Sequence, residues 1–449
     1  MSEQTPSFNV IGAGLAGSLM ALYLARKGYQ VHVYERRPDM RKAAVEGGRS
    51  INLALSARGM HALRETGLLD EIMTLALPMY GRMMHDLEGG ITYQPYSHDP
   101  RECIYSVSRA ELNIRLMNHS EAHTRTTYYF DHRCEDVDLE SGEIILRHLP
   151  SGELRTAAGT RTIASDGAFS AVRYALQKTP RFNFSQSYLD HGYKELTIPP
   201  GPDGNFALDP KALHIWPRGQ FMMIALPNPD RTFTCTLFFP FEGPLSFASL
   251  QTEEEVVTFF AQQFPDAVPL MPTLLEDYFH NPTGSLVTIR CAPWILGDRI
   301  ALLGDAAHAI VPFFGQGMNA AFEDCATMSA CIDQYAPDWG QVFEQYQQQR
   351  KENSDAIATM ALENYIEMRD KVADEEFLFR KAVEHHLEAH LDSYRSRYEL
   401  VSFTRVPYAE ALRRGQQNQA ILAELTRGLD SPQEVDLAEA ARLVAESLG

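Results

Sequence analysis

The stretch VIGAGLAGSLMALYLARKGYQVHVYE, residues 10–35, decides the fold. Residues 8–11 read as a buried strand, Gly12-x-Gly14-x-x-Gly17 as a tight turn, and residues 18–27 as a helix ended by Gly28. The three glycines permit the turn, let backbone N–H groups approach an anion, and let helix and strand pack closely. The helix start then faces that anion with its partial positive charge. Residues 30–35, QVHVYE, form a second strand with Glu35 at its end, where a carboxylate can accept two ribose hydroxyls. A glycine-rich turn alone could merely join a strand to a helix. Here strand, turn, helix, strand and terminal acid occur in order, which is the pattern of a dinucleotide site involving Gly12, Gly14, Leu15, Ala16, Gly17 and Glu35. Glu35 would repel a 2'-phosphate, so the nucleotide is FAD or NAD rather than NADP.

With 449 residues, 45% of them hydrophobic, the chain can bury a large core and reads as one catalytic unit of two or three intertwined domains. A formal charge of -19 argues against a nucleic-acid partner, because a polyanion would be repelled. The six cysteines (Cys103, Cys134, Cys235, Cys291, Cys325, Cys331) form no C-x-x-C pair and no zinc-like spacing with histidine. Neither a disulfide framework nor a metal site is implied. The N-terminal residues lack a signal-like pattern, and no run approaches the ~18 apolar residues of a membrane span. A cytoplasmic protein with reduced thiols is the expectation.

A second stretch, ALLGDAAHAIVPFFGQGMNAAFEDC, residues 301–325, bears on which nucleotide is held. Residues 299–303 make a short apolar strand ending at Gly304-Asp305, and after Pro312 the run Gly315-Gln316-Gly317-Met318-Asn319 opens a helix to about Asp333. This resembles the second FAD fingerprint of the flavoprotein aromatic hydroxylases typified by para-hydroxybenzoate hydroxylase. The resemblance implies that Asp305 holds the ribityl chain and that the helix start at Gly317, Met318 and Asn319 faces the flavin pyrimidine. A helix start, carrying about 0.5 e, suits an anionic reduced flavin. His308 reads as a packing residue beside the cofactor. TIASDGAFSAVRYAL, residues 162–176, resembles the family's middle D-G motif, with Asp166 against FAD, although a plain turn before a capped helix would read the same way. In SVSRAEL, residues 106–112, Arg109 matches the arginine that reaches the flavin side chain or pyrophosphate. Arg36, Leu55 and the backbone at Cys134 match cofactor-wall positions. No second G-x-G-x-x-G follows a strand, so the nicotinamide reductant is expected to visit transiently.

The expected fold class is α/β: a discontinuous Rossmann-like FAD-binding domain, an antiparallel β-sheet substrate domain and a C-terminal helical region. Residues 1–70, 100–180 and 288–345 are assigned to the FAD domain as a parallel sheet with crossover helices. Residues 71–99 and 181–287 form the substrate domain, and 346–449 the helical region. Between residues 191 and 240, HGYKELTIP, ALHIWPRG, FMMIALPN and TFTCTLFFPF read as successive antiparallel strands, rich in aromatic and β-branched residues. Met222, Ile224 and Leu226 alternate and so share one face.

Within that family, GRSINLALSARG (residues 48–59), GRMMH (81–85), HGYKELTIPP, ALHIWPRG, FMMIALPNPDRTFTCTLF, NYIEMRDKV and YELVSFTRVPYAEA resemble the branch that acts on L-kynurenine. The likeness runs from residue 8 to about 411. It implies 3-hydroxylation of the ring with tightly bound FAD, transient NADPH and O2, through a flavin C4a-hydroperoxide, with no protein nucleophile and no assigned general base. Arg82 then takes the substrate carboxylate together with Tyr96, Asn364 and Tyr398, while Met222, Ile224, Leu226, Phe238, Pro312 and Phe313 wall the ring. Phe314 stands where some bacterial members carry His. The animal members end in a membrane-anchoring helix, whereas residues 412–449 here are charged and helix-forming. Two rival readings are another single-component aromatic hydroxylase and a flavin-binding regulator without turnover; the W-x-W-x-I-P segment of halogenases is absent. Monomer and homodimer are both compatible with the sequence.

Overall fold

The computed structural model describes residues 6–42, 52–370 and 375–448. Residues 48–51 of the GRSINLALSARG block and 371–372 of NYIEMRDKV lie outside the described residues. A six-stranded sheet runs in the order Ile295–Leu296, Ile300–Leu302, Arg161–Ala164, Ser7–Ile11, Gln30–Tyr34, Thr126–Tyr129. All pairs are parallel except the first, which is antiparallel. The central strands are apolar runs because helices cover both faces of a parallel sheet. Phe8, Val10, Val31, Val33, Ile163 and Leu302 are fully buried in one cluster with the helices Leu15–Arg26 and Gly317–Tyr335.

The parallel strands end together, at Ile11, Tyr34, Ala164 and Leu302. Gly12, Glu35, Asp166 and Asp305 follow these ends within three residues. Ligands of such sheets bind at this carboxyl edge. The segment expected to continue the parallel sheet differs at residues 132–156. His132–Val137, Ile144–His148 and Leu154–Thr156 form a separate antiparallel sheet. Its connections are turns through Gly142 and Gly152 at φ +78° and +72°, too short for the crossover that parallel pairing needs.

The second large sheet has seven strands in the order Gly284–Ala292, Asn183–Ile198, Phe233–Pro240, Met222–Pro227, Ala212–Pro217, Gly81–His85, Ile91–Pro95. The run between residues 191 and 240 is antiparallel throughout, but Gly81–His85 joins it in parallel, through Leu213 opposite Arg82. Met223 and Ala225 pack with the helices Glu253–Gln263 and Leu274–His280. Met222, Ile224 and Leu226 face the other side. The expected boundary at 287/288 falls inside Gly284–Ala292, which pairs with Asn183–Ile198 up to Ala292, so the hydrogen-bond ladder carries the sheet past it. Likewise 345/346 falls inside the helix Trp339–Asp370. Leu77–Met79 pairs with Ile104–Ser108, whose other edge pairs with Asn52–Leu55, so it belongs to a separate three-stranded sheet rather than to the seven-stranded one.

The helices Glu375–His390, Arg397–Ser402, Tyr408–Leu425 and Leu437–Leu448 complete the chain. Buried Arg58 ties them to the nucleotide-binding half: it donates to the carbonyls of Val401, Thr404 and Val406 and lies 3.8 Å over the Tyr408 ring. Among the described residues no helix is long and apolar enough to cross a membrane. The six cysteines are buried and unpaired.

Candidate cofactor and substrate site

The first helix starts at Leu15 from a turn whose glycines have three separate physical roles. Gly12 sits at φ +97°, and a Cβ there would lie 2.6 Å from the Ser165 carbonyl oxygen. At Gly17 a Cβ would meet the Gly12 carbonyl oxygen at 1.9 Å, so helix and strand can approach only because it is absent. Around Gly14 a Cβ would meet nothing within 4 Å. That opening at a helix N-terminus is a cradle in which an anion can contact the backbone. Glu35 accepts hydrogen bonds from Ala13 N at 2.9 Å and from Arg37 N and Nε at 3.0 and 2.8 Å. Burial alone would raise its pKa, but the Arg37 hydrogen bonds and charge hold it below the ordinary value. Glu35 is thus an ionised acceptor beside the cradle. The partner is Arg37, which sequence reading passed over for its neighbour Arg36, an exposed residue.

Leu15 and Ala16 form the first turn of that helix. Gly304, after the strand Ile300–Leu302, lies against it: a Cβ there would be 3.3 Å from Ala16 and from Ala321 of the helix Gly317–Tyr335. The two nucleotide motifs therefore meet although some 300 residues separate them. Asp305 is exposed at the start of the short helix Asp305–His308, and Arg109 is exposed at the start of Arg109–Ala122. Neither forms an ion pair among the described residues, so both heads are available to a ligand. Asp166 is anchored within its own segment. Its carboxylate accepts from Ser170 Oγ at 2.6 Å and from the N–H groups of Ala171 and Val172 at 2.8 and 3.3 Å, so it caps the helix Ala171–Leu176. Cys134 is a buried thiol whose pKa burial pushes up, paired in its strand with Leu146. Leu55 is fully buried, and Met318 nearly so.

Asn319 clamps the second helix start in place. Its amide donates to the carbonyls of Ala54 and Gly315 at 2.8 and 3.0 Å and accepts from Ser56 N at 2.9 Å. Sequence reading missed the fully buried Asp324, which accepts from Gly304 N at 3.1 Å, pairs with His308 Nε2 at 2.6 Å and with Arg350 Nε at 2.7 Å. His308 is accordingly structural: its ring also stacks on Trp294 at 5.1 Å.

A cavity of about 460 Å³ is lined by Arg82, Tyr96, Phe314, Asn364, Glu367 and Tyr398, among others. The Tyr96 and Tyr398 rings stack at 4.9 Å with 16° between planes, and the Arg82 guanidinium carbon lies 5.4 and 5.1 Å from their centres. Arg82 Nε and the Tyr96 hydroxyl are buried without a hydrogen-bond partner, and Arg82 forms no ion pair among the described residues. A cation in this state costs several kcal/mol unless an anion reaches it. Asn364 donates to the Phe313 carbonyl at 2.7 Å. Met222, Phe238, Phe313 and Phe314 pack in one apolar cluster, and Tyr96 and Leu226 in a neighbouring one; Ile224 and Tyr398 touch both. Pro312 is exposed at the start of the turn Pro312–Phe314. Four of the predicted polar residues are thus brought to one cavity with an apolar wall beside it. Glu367, and Lys381 of the helix Glu375–His390, also line this cavity, which no sequence pattern indicated.

Residues 5–243 and 246–361 match the family described as FAD binding domain. The chain is 51% identical to kynurenine 3-monooxygenase of Myxococcus xanthus, over 100% of this chain and 97% of that protein. Kynurenine 3-monooxygenase of Dictyostelium discoideum is 49% identical over 98% of this chain and 97% of its own length. Among solved structures, 2-methyl-3-hydroxypyridine-5-carboxylic acid oxygenase shares the fold at 18% identity and TM-score 0.67, covering 82% of this chain and 94% of that one. PqsL of P. aeruginosa does so at 20% identity and TM-score 0.65, over 81% and 97%.

Proposed function

Because the chain belongs to the kynurenine 3-monooxygenase family of FAD-binding-domain flavoproteins, we propose that it hydroxylates L-kynurenine to 3-hydroxykynurenine with NADPH and O2. It is a flavoprotein monooxygenase, and FAD supplies the redox and oxygen-transfer chemistry when bound. The opening at Gly14, ionised Glu35, and the unpaired heads of Arg109 and Asp305 fit that group. The start of the Gly317–Tyr335 helix offers the positive end of a long helix to a developing negative charge.

The observation that carries the substrate assignment is Arg82, held between two tyrosine rings with its Nε unsatisfied and with no ion pair among the described residues. Kynurenine is an amino acid on an ortho-amino phenyl ketone, so it brings a carboxylate to that cation and an aromatic ring to the adjoining wall. A charge-assisted hydrogen bond of this kind is worth about 1.5–3 kcal/mol. Met222, Ile224, Leu226, Phe238, Pro312 and Phe313 are proposed to flank the ring and exclude water, which protects reactive intermediates from solvent. Phe314, stacked on Tyr398 at 5.8 Å, adds an apolar face where a histidine would add a polar contact. We also take the enzyme to be cytoplasmic, in keeping with its six buried, unpaired thiols. Kynurenine-dependent NADPH oxidation coupled to 3-hydroxykynurenine formation tests the reaction. Arg82→Ala should raise KM roughly 10- to 150-fold, from the hydrogen-bond energy above, with FAD retained; an unchanged KM would remove Arg82 from the pocket.

A further inference from the structure

Tyr96 directly follows the strand Ile91–Pro95, whose Gln94 pairs with Arg82, whereas Tyr398 comes from a segment 302 residues further on. Something must hold the two rings parallel. The Tyr96 hydroxyl interacts with the Arg82 guanidinium and the Tyr398 hydroxyl but makes no hydrogen bond of good geometry, so its own polar end does not fix the stack. The residue after each tyrosine does bond across the junction: Ser97 Oγ donates to Glu399 Oε1 at 2.8 Å. Both are buried, Ser97 to 8% and Glu399 to 1% exposure. Ser97 Oγ also accepts from Asp99 N at 3.1 Å, which fixes its own loop. On the other side, Glu399 Oε2 accepts from Ser396 N at 3.3 Å, and Glu399 N donates to Ser396 Oγ at 3.2 Å, a capping box at the start of Arg397–Ser402. Each partner is thus anchored in its own segment, and the bond between them joins the segments. The nearby ion pair of Arg395 with Glu102 at 3.3 Å is far more exposed and contributes little. His98 Nδ1 stands 3.8 Å from Glu399 Oε1, too far for a hydrogen bond.

We infer that Ser97 and Glu399 form a latch that positions Tyr96 and Tyr398 around Arg82, so that both residues set the affinity for the substrate carboxylate without touching it. The inference rests on the reading that Arg82 receives that carboxylate. Sites of this kind lose function when their supporting groups let the contacting side chains drift by ~1 Å. The latch also explains how the C-terminal helices complete a pocket whose other wall is a strand of the seven-stranded sheet.

The test uses the full-length FAD-loaded enzyme with Ser97→Ala, Ser97→Thr and Arg82→Ala, and measures KM and kcat for kynurenine. Flavin absorbance changes give Kd for kynurenine and for its decarboxylated analogue. Ser97→Ala should raise KM and Kd for kynurenine about tenfold, the ordinary cost of one buried hydrogen bond, with kcat, FAD content and the analogue's Kd within about twofold. Ser97→Thr, which keeps the hydroxyl, should restore KM. If Ser97→Ala does not accumulate as folded holoenzyme, Ser97→Cys keeps the volume with a weak donor and should shift KM in the same direction. A kynurenine KM within twofold of the parent overturns the latch, as does an equal loss of affinity for the analogue, which would mark general loosening. If Arg82→Ala leaves KM unchanged, the carboxylate reading itself fails and the latch falls with it; if only the Ser97 variants are silent, the reading stands and the latch alone is lost.

Discussion

Gly14 and Gly17 are three residues apart in one turn, yet replacing each by alanine should have opposite consequences. Gly14 has φ -72° and ψ -177°, a conformation alanine adopts freely, and its Cβ would meet nothing within 4 Å. As the N-cap residue it loses up to ~1 kcal/mol on becoming alanine, partly offset by the ~0.4–1 kcal/mol gained from a less flexible unfolded chain. Stability should therefore stay within about 1 kcal/mol of the parent. The new methyl group instead fills the cradle at the helix N-terminus. Losing one charge-assisted hydrogen bond to a phosphate costs about 1.5–3 kcal/mol, or roughly 10- to 150-fold in Kd for FAD. At Gly17 the Cβ would overlap the Gly12 carbonyl at 1.9 Å and Ser165 Oγ at 2.5 Å. The carbonyl is backbone and cannot step aside, so Gly17→Ala should not accumulate as folded protein. Deflavinated enzyme would be titrated with FAD by fluorescence quenching, alongside thermal melts of the apoprotein. A Gly14→Ala protein that binds FAD within threefold of the parent would refute the reasoning, as would a folded Gly17→Ala with parental stability.

Asp324→Asn leaves Arg350 and His308 buried beside an uncharged acceptor, so it should cost about 3–5 kcal/mol; calorimetry showing less than 1 kcal/mol would mean the network is dispensable. Burial, reinforced by the nearby carboxylate of Glu388, lifts Glu399 from 4.5 to about 7, while Ser97 and Arg395 oppose the rise. The folded state therefore holds this proton more tightly than the unfolded chain. The stability it contributes is complete below pH 4.5 and is lost as pH rises to about 7, on the order of 3 kcal/mol in all. Denaturant melts at pH 5 and pH 8 should show this loss in the parent and not in Glu399→Gln; equal slopes would dismiss it. Arg58→Ala should loosen the C-terminal helices first, because three carbonyls between Val401 and Val406 lose their donor. Faster hydrogen exchange confined to residues 397–425 would be the sign, and uniform exchange across the chain would contradict it.

Much of the nucleotide half was readable because its determinants are local. A positive-φ Gly12, a Gly17 with no room for a side chain and an acid at the next strand end occupy one contiguous stretch, and each follows from backbone geometry. Alternation in Met222–Pro227 placed Met222, Ile224 and Leu226 on one face for the same reason. Local pattern was silent where a side chain had alternatives. Asp166 reads equally as a ligand or a cap, and only its three donors show that it caps. Arg37 and Arg36 are adjacent arginines, and only the turn after Tyr34 brings Arg37 onto Glu35. The domain limits also escaped, because strands such as Gly284–Ala292 obey a hydrogen-bond ladder that composition does not mark.

By itself, then, the amino-acid order determined a flavin-type nucleotide fold and the residue types of its pocket, since turns, caps and strand faces depend on neighbours a few positions away. Only the tertiary structure decided which side chains meet across hundreds of residues: Arg82 left without an anion between Tyr96 and Tyr398, Ser97 bonded to Glu399, and Asp324 joining Gly304, His308 and Arg350. Such contacts depend on how sheets and helices pack. One-dimensional periodicity records which face of an element is buried but not which partner buries it.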